Sequence, residues 1–198
     1  MSSNQQEGFA NPAPAGLVAL AIACFAFFAV LSGSVGHSAI PLLGCWLLGG
    51  FIVQIVVAYI ELKEGQLLGG NVFLVFAAFF MFTGSIEFFV KAYFNTVGGT
   101  PIDTQLDGYC WLVLLIILLL WTPAYLKTAS AIMGLLVIFL DLGVFFVAFS
   151  DLKIMSGGVY AAYSLLITGI IGIYIAAAIQ LNAAFGRTIL PLPGPMIK

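Results

Sequence analysis

The sequence predicts an all-α membrane protein with six transmembrane helices. Three observations carry this. Apolar residues make up 63% of the 198 residues and charged residues only 7%, too few charges to solvate the outside of a soluble domain of this size. The apolar residues gather into long runs, and the chain is long enough for six crossings of roughly 20 residues each. The connections between those runs are short and hold charge, as in Glu61-Leu62-Lys63-Glu64 and Asp151-Leu152-Lys153.

Residues 1–13 form a polar tail, residues 14–182 the six-helix domain and residues 183–198 a C-terminal tail. The first apolar run follows a tail that holds Glu7 and no Lys or Arg. It lacks the basic n-region of a cleaved signal peptide and reads as a retained span. A net charge of −2 argues against nucleic acid as a partner and against a polybasic lipid-surface anchor.

Span one covers about 14–32, where Ala15, Ala19 and Ala23 form a stripe that admits close helix approach. His37 sits in the short link that follows. Span two covers about 41–60, with Gly44, Gly49 and Gly50 for packing and Gln54 near mid-membrane. In lipid that amide needs a partner. One reading is an interhelical hydrogen bond of about 0.6–2 kcal/mol; the other is a pore lining. Span three covers about 71–89 and is rich in Phe, with Phe76 and Phe80 one turn apart on a face read as lipid contact or packing. Glu87 and Lys91 are spaced to pair on one helix face.

Residues 96–108 form the longest polar connection, with Gly98, Gly99, Pro101, Asp103 and Asp107. Its acids lack the further ligands of a calcium loop, so no metal site is expected. Span four covers about 109–125, bracketed by Tyr109, Trp111, Trp121 and Tyr125 as an aromatic belt. Its run 112–120 reads as lipid-facing. Span five covers about 130–149 and carries Asp141 well inside. A carboxylate at depth costs at least about 2.5 kcal/mol unless paired, protonated or wetted. It is either a site or a buried interhelical hydrogen bond. Span six covers about 159–181; Thr168, Gly172 and Ala176 form a second small stripe, and Tyr174 offers a hydroxyl.

Cys24, Cys45 and Cys110 fall in or beside apolar runs without metal-ligand spacing and read as small packing residues. No hydrolase or phosphate-loop motif appears, so neither an enzyme nor a cofactor is expected. Lys63, Lys127, Arg187 and Lys198 share one side of a six-span topology, with Lys91 and Lys153 opposite. That asymmetry predicts both termini in the cytoplasm.

Before the first span stands Asn11-Pro12-Ala13-Pro14-Ala15-Gly16-Leu17. Pro14 suits a first helical turn, where its missing N–H has no partner to lose. Asn11 or a nearby group can cap the free amides. Two readings follow: an ordinary rigid helix start, or a helix mouth whose amides receive a carboxylate.

The same residues resemble the signature of the acetate uptake transporter family, which includes bacterial succinate–acetate permeases. Gln54, Glu61, Gly65 and Gly69 have the family's spacing, and Asn182-x-x-Phe185-Gly186-Arg187-Thr188-x-Leu190-Pro191 resembles its C-terminal motif. The resemblance implies uptake of acetate or related small monocarboxylates, with succinate as a further substrate. It also implies a homohexamer in the plasma (inner) membrane, with one path in each protomer. It places a hydrophobic constriction at Leu20, Phe76 and Phe139. Leu20 stands where bacterial-type members have Phe, Phe76 where they have Tyr, and Gly172 where the family often has Ala. Asn11, Pro12, Pro14, Gly16, Gln54, Gly172 and Tyr174 are vestibule or binding candidates. Asp141 and Glu61 are proton-linked candidates. The alternative function is a passive pore for neutral solutes such as urea or glycerol.

Overall fold

The computed structural model describes residues 8–198 except Gly99 and Pro101. Glu7 and the rest of the first seven residues, with those two loop residues, lie outside the described residues. Six helices are long and apolar enough to cross a membrane: α1 Ala13–Leu31, α2 within His37–Lys63, α3 Leu67–Val97, α4 Gln105–Thr128, α5 Ala131–Asp151 and α6 Gly158–Phe185. A short 3₁₀ turn, His37–Ala39, leads into α2 proper at Ile40.

The helices close a ring in chain order. α1 packs on α2 and α6, α5 on α4 and α6, and α2 on α3, while α3 and α4 touch only thinly. Small residues explain the tight α1–α6 seam. Ala19, Ala23, Thr168, Gly169, Gly172 and Ala176 are all buried there. A Cβ on Gly169 would lie 2.9 Å from the Phe25 ring and 3.1 Å from Cys24 Cβ. Ala15, expected on that stripe, is exposed. On the α2–α3 seam the buried Ser85 hydroxyl donates to the Gly44 carbonyl at 2.8 Å.

Three features depart from the expectations. α3 turns π-helical over Phe76–Thr83, and Thr83 Oγ1 donates five residues back to the Ala78 carbonyl at 3.0 Å. Such segments re-aim side chains and cluster at functional sites. Here Phe76 and Phe80 point inward and are buried, so the aromatic face is interior. The run 112–120 of α4 is not uniformly lipid-facing, because Leu114, Leu115 and Leu118 are buried. Cys24 is buried, whereas Cys45 and Cys110 are exposed on the apolar outer face.

One end of the ring gathers both terminal segments. The Phe9 amide donates to Glu64 Oε1 at 3.1 Å, and Lys63 Nζ lies 4.9 Å over the Phe9 ring. Gly186 ends α6 at φ +60°, a conformation that favours glycine. The chain then folds back. Asn182 accepts from the amides of Ile189 and Leu190 and donates to the Leu190 carbonyl. Ile197 donates to the Leu126 carbonyl at 3.0 Å, and the Ala131 amide to that of Gly194 at 3.0 Å. The C-terminal motif thus straps the α4–α5 turn.

Candidate functional site

The interior is apolar at its centre. Leu17 and Leu20 of α1, Phe76 and Phe80 of α3, and Leu136 and Leu140 of α5 belong to one buried cluster. The Phe76 and Phe80 rings meet edge to face at 5.6 Å; Phe80 stacks on Phe27 at 5.1 Å, and Phe27 meets Phe88 at 5.6 Å. The column ends at Lys91, whose Nζ lies 5.8 Å from the Phe88 ring.

Leu20 and Phe76, two of the three residues that the resemblance assigned to a constriction, belong to this buried cluster. Phe139 does not join them. It is half-buried and outside the cluster, while its neighbours Leu136 and Leu140 are 2% and 3% exposed. Successive helical residues differ by about 100° in direction, so a count that is off by one selects another face.

The end beyond Phe88 is charged. A cavity of about 180 Å³ opens among α1, α3, α4, α5 and α6, lined by Phe27, Glu87, Lys91, Trp111, Ser150 and Asp151 among others. Lys91 pairs with Glu87 on its own helix and with Asp107 of α4 at 3.2 Å. Three carboxylates, including Asp151, thus surround one ammonium. Asp103 pairs with Lys153 at 2.9 Å. That hydrogen bond, then one from the Gln105 amide, holds the exposed Asp103 carboxyl below the usual carboxylate range. The acids of the long connection take lysines as partners, and no group among the described residues could hold a metal ion.

Toward the opposite end the polar groups are buried and only partly satisfied. Gln54 is 1% exposed, Glu61 7% and Asp141 6%. Gln54 Oε1, Glu61 Oε2 and Asp141 Oδ1 have no hydrogen-bond partner among the described residues. Buried polar atoms are nearly always paired, so each orphan calls for a role. Gln54 and Glu61 share one face of α2, seven residues apart. A Cβ on Gly69 would overlap the Glu61 carboxylate, so glycine at that motif position makes room for the acid. Asp141 Oδ2 lies 2.6 Å from Thr122 Oγ1 of α4. Thr122 was not foreseen, since a lone Thr in a Leu-rich run carries no periodic signal.

The remaining candidates divide. Asn11 Oδ1 accepts from the Ala13 amide at 2.9 Å, and Pro14 sits in the first turn of α1, with the half-buried Pro12 preceding that turn. Gly16 is a packing glycine, since a Cβ there would lie 2.5 Å from a Phe73 ring carbon. Gly172 is buried between α1 and α5, where a Cβ would lie 3.5 Å from the Leu17 carbonyl oxygen and 3.7 Å from Leu136. Tyr174 spends its hydroxyl on the Pro191 carbonyl at 2.9 Å, which makes it a tether for the tail. A larger hollow of about 640 Å³ opens on the outer face among α1, α2 and α6. Its lining of Ala15, Ala19, Gly49, Gly50 and similar residues holds no ionisable group, so the polar groups just described lie elsewhere.

Fold and side chains together define a six-helix membrane protein whose apolar centre lies between two polar ends. The chain belongs to the GPR1/FUN34/yaaH family, whose model matches residues 1–193. Its fold is similar to that of the bacterial acetate channel SatP, with a TM-score of 0.80 at 22% identity over 93% of this chain and 99% of that one. No curated protein sequence matches the chain.

Proposed function

We propose that the protein carries acetate and related small monocarboxylates across the membrane through the middle of each protomer. The observation that carries this reading is the buried apolar cluster that holds Leu20, Phe76 and Leu140 from three helices, with polar groups to either side; we read these three as the neck of the path. An apolar constriction resists a hydrated ion by dewetting, while a small molecule with an apolar face passes. Acetate fits that filter best as its neutral acid. Family membership and the likeness to an acetate channel support the substrate class.

On this reading, the cavity around Lys91 receives the substrate at one end and Gln54 contacts it at the other. Asn11, Pro12 and Pro14 fix the start of α1 so that Leu20 faces the path. Asp141 and Glu61 handle the proton that separates anion from acid. Succinate is a further substrate on the strength of the resemblance. The same resemblance and the basic-residue asymmetry support a homohexamer in the plasma membrane with both termini cytoplasmic.

The test is competition in proteoliposomes. Unlabelled propionate and lactate should reduce protein-dependent uptake of labelled acetate, and urea and glycerol should not. Protein-dependent flux of urea or glycerol without flux of acetate would replace this reading with the neutral-solute pore.

A further inference from the structure

The Asp141–Thr122 contact contains a proton count. Thr122 Oγ1 lies 2.9 Å from the Leu118 carbonyl oxygen one turn back and 2.6 Å from Asp141 Oδ2. A threonine hydroxyl has one proton and cannot donate along both contacts. A carbonyl has none to give. Both contacts are filled only when Asp141 is a neutral acid: Oδ2–H donates to Oγ1, and Oγ1–H donates to Leu118. If Asp141 is ionised, the hydroxyl must turn to it and release the carbonyl.

The surroundings favour the neutral form. Oδ1 is buried without a partner among the described residues. An uncharged C=O oxygen tolerates that far better than a carboxylate oxygen does. No Lys or Arg forms an ion pair with Asp141 among the described residues, where the ion pairs involve Lys91 and Lys153. The helices packed on α5 bring no countercharge. On α4, Tyr125 lies one turn beyond Thr122, Asp107, Tyr109 and Cys110 stand near the other end, and Lys127 Nζ donates to the Lys198 carbonyl. On α6, Tyr160 and Tyr163 are exposed and the Tyr174 hydroxyl is held by Pro191.

We propose that Asp141 is a proton-binding site, neutral at physiological pH, whose O–H is held by Thr122, and that the Thr122 hydroxyl turns from Leu118 to Asp141 when the proton leaves. Its use in transport rests on the carboxylate reading above. The Asp141 O–H bond breaks, an O–H bond forms on the entering carboxylate, and the neutral acid crosses the neck. Beyond the neck the acid gives that proton to water, and a hydronium ion on the Asp141 side of the neck reprotonates the Asp141 carboxylate.

The test is infrared difference spectroscopy of the full chain in lipid at neutral pH. A protonated-carboxyl C=O band should be present in the wild type and lost in Asp141→Asn. Thr122→Val should shift it to higher frequency, because the acid loses its acceptor, and Thr122→Ser should restore it. The absence of a wild-type band that Asp141→Asn removes would overturn the proposal. If Asp141→Asn does not fold, an unshifted band in Thr122→Val would do the same. The spectra need no transport, so the band with no acetate flux would sink only the transport reading, and acetate flux without the band would sink only the proton site.

Discussion

Leu20→Ala tests the neck with the least disturbance elsewhere. Leu20 is 6% exposed and packs in the cluster with Phe76, Leu136 and Leu140. The substitution removes three carbons. In water their transfer would account for about 2.4 kcal/mol. Between membrane helices that term largely vanishes, because lipid is as apolar as the core. What is left is lost packing, about 1–2 kcal/mol of the 2–5 seen for such truncations in soluble cores. The protein should therefore fold and insert. Selectivity should change far more than stability. A tight apolar site discriminates about 1–3 kcal/mol per methylene; butyrate has two methylenes more than acetate, so relaxing the low end of that range, about 2 kcal/mol, raises the butyrate-to-acetate flux ratio about thirtyfold. The assay is parallel uptake of both labelled acids into proteoliposomes. Leu140→Ala should act in the same direction, and Phe139→Ala should leave the ratio unchanged. An unchanged ratio in folded Leu20→Ala, or a large change in Phe139→Ala, would refute the placement of the neck.

Three further outcomes follow from other contacts. Asn182→Ala removes three hydrogen bonds to residues 189 and 190, about 2 kcal/mol of local stability; hydrogen exchange at Ile189 and Leu190 should rise while α6 stays protected. Ser85→Ala leaves the Gly44 carbonyl without its cross-helix donor and should lower stability by about 0.6–1.7 kcal/mol in a detergent-unfolding titration. The Asp103–Lys153 tie should respond to acid. The Asp103 carboxyl is depressed in the folded state, so its contribution is present above the ordinary carboxylate value and is lost as pH falls through the depressed one. Protease cleavage after Lys153 should increase over that acid range in the wild type, and Asp103→Asn should remove the dependence.

Much of the architecture was legible because lipid makes hydropathy decisive. Every span was placed within a turn or two at most boundaries, and the Glu87–Lys91 pair followed from helical spacing alone. What hydropathy cannot do is sort lipid-facing from path-facing carbons, since both are apolar. Hence 112–120 read as uniformly outward although Leu114, Leu115 and Leu118 are buried. For the same reason the sequence leaves the face of Phe76 and Phe80 open between lipid contact and packing, and burial decides for packing. The π-helical stretch that turns them inward leaves no mark on a pattern of continuous Phe and Ala. Phe139 was selected by counting along the chain, which cannot resolve one residue, whereas burial separates it from Leu140. Asp141 stood out because a charge at depth is costly. Its partner Thr122 did not, because the pairing depends on how α4 and α5 meet.

The most direct measurement is entry of labelled acetate into proteoliposomes of the purified protein, with empty liposomes subtracted, for the wild type and for Leu20→Trp. Rapid protein-dependent entry is expected in the wild type, and little or none when an indole fills the neck beside Phe76. No wild-type flux above empty liposomes would contradict the carboxylate path, and undiminished flux in a folded Leu20→Trp would contradict its route past Leu20 and Phe76.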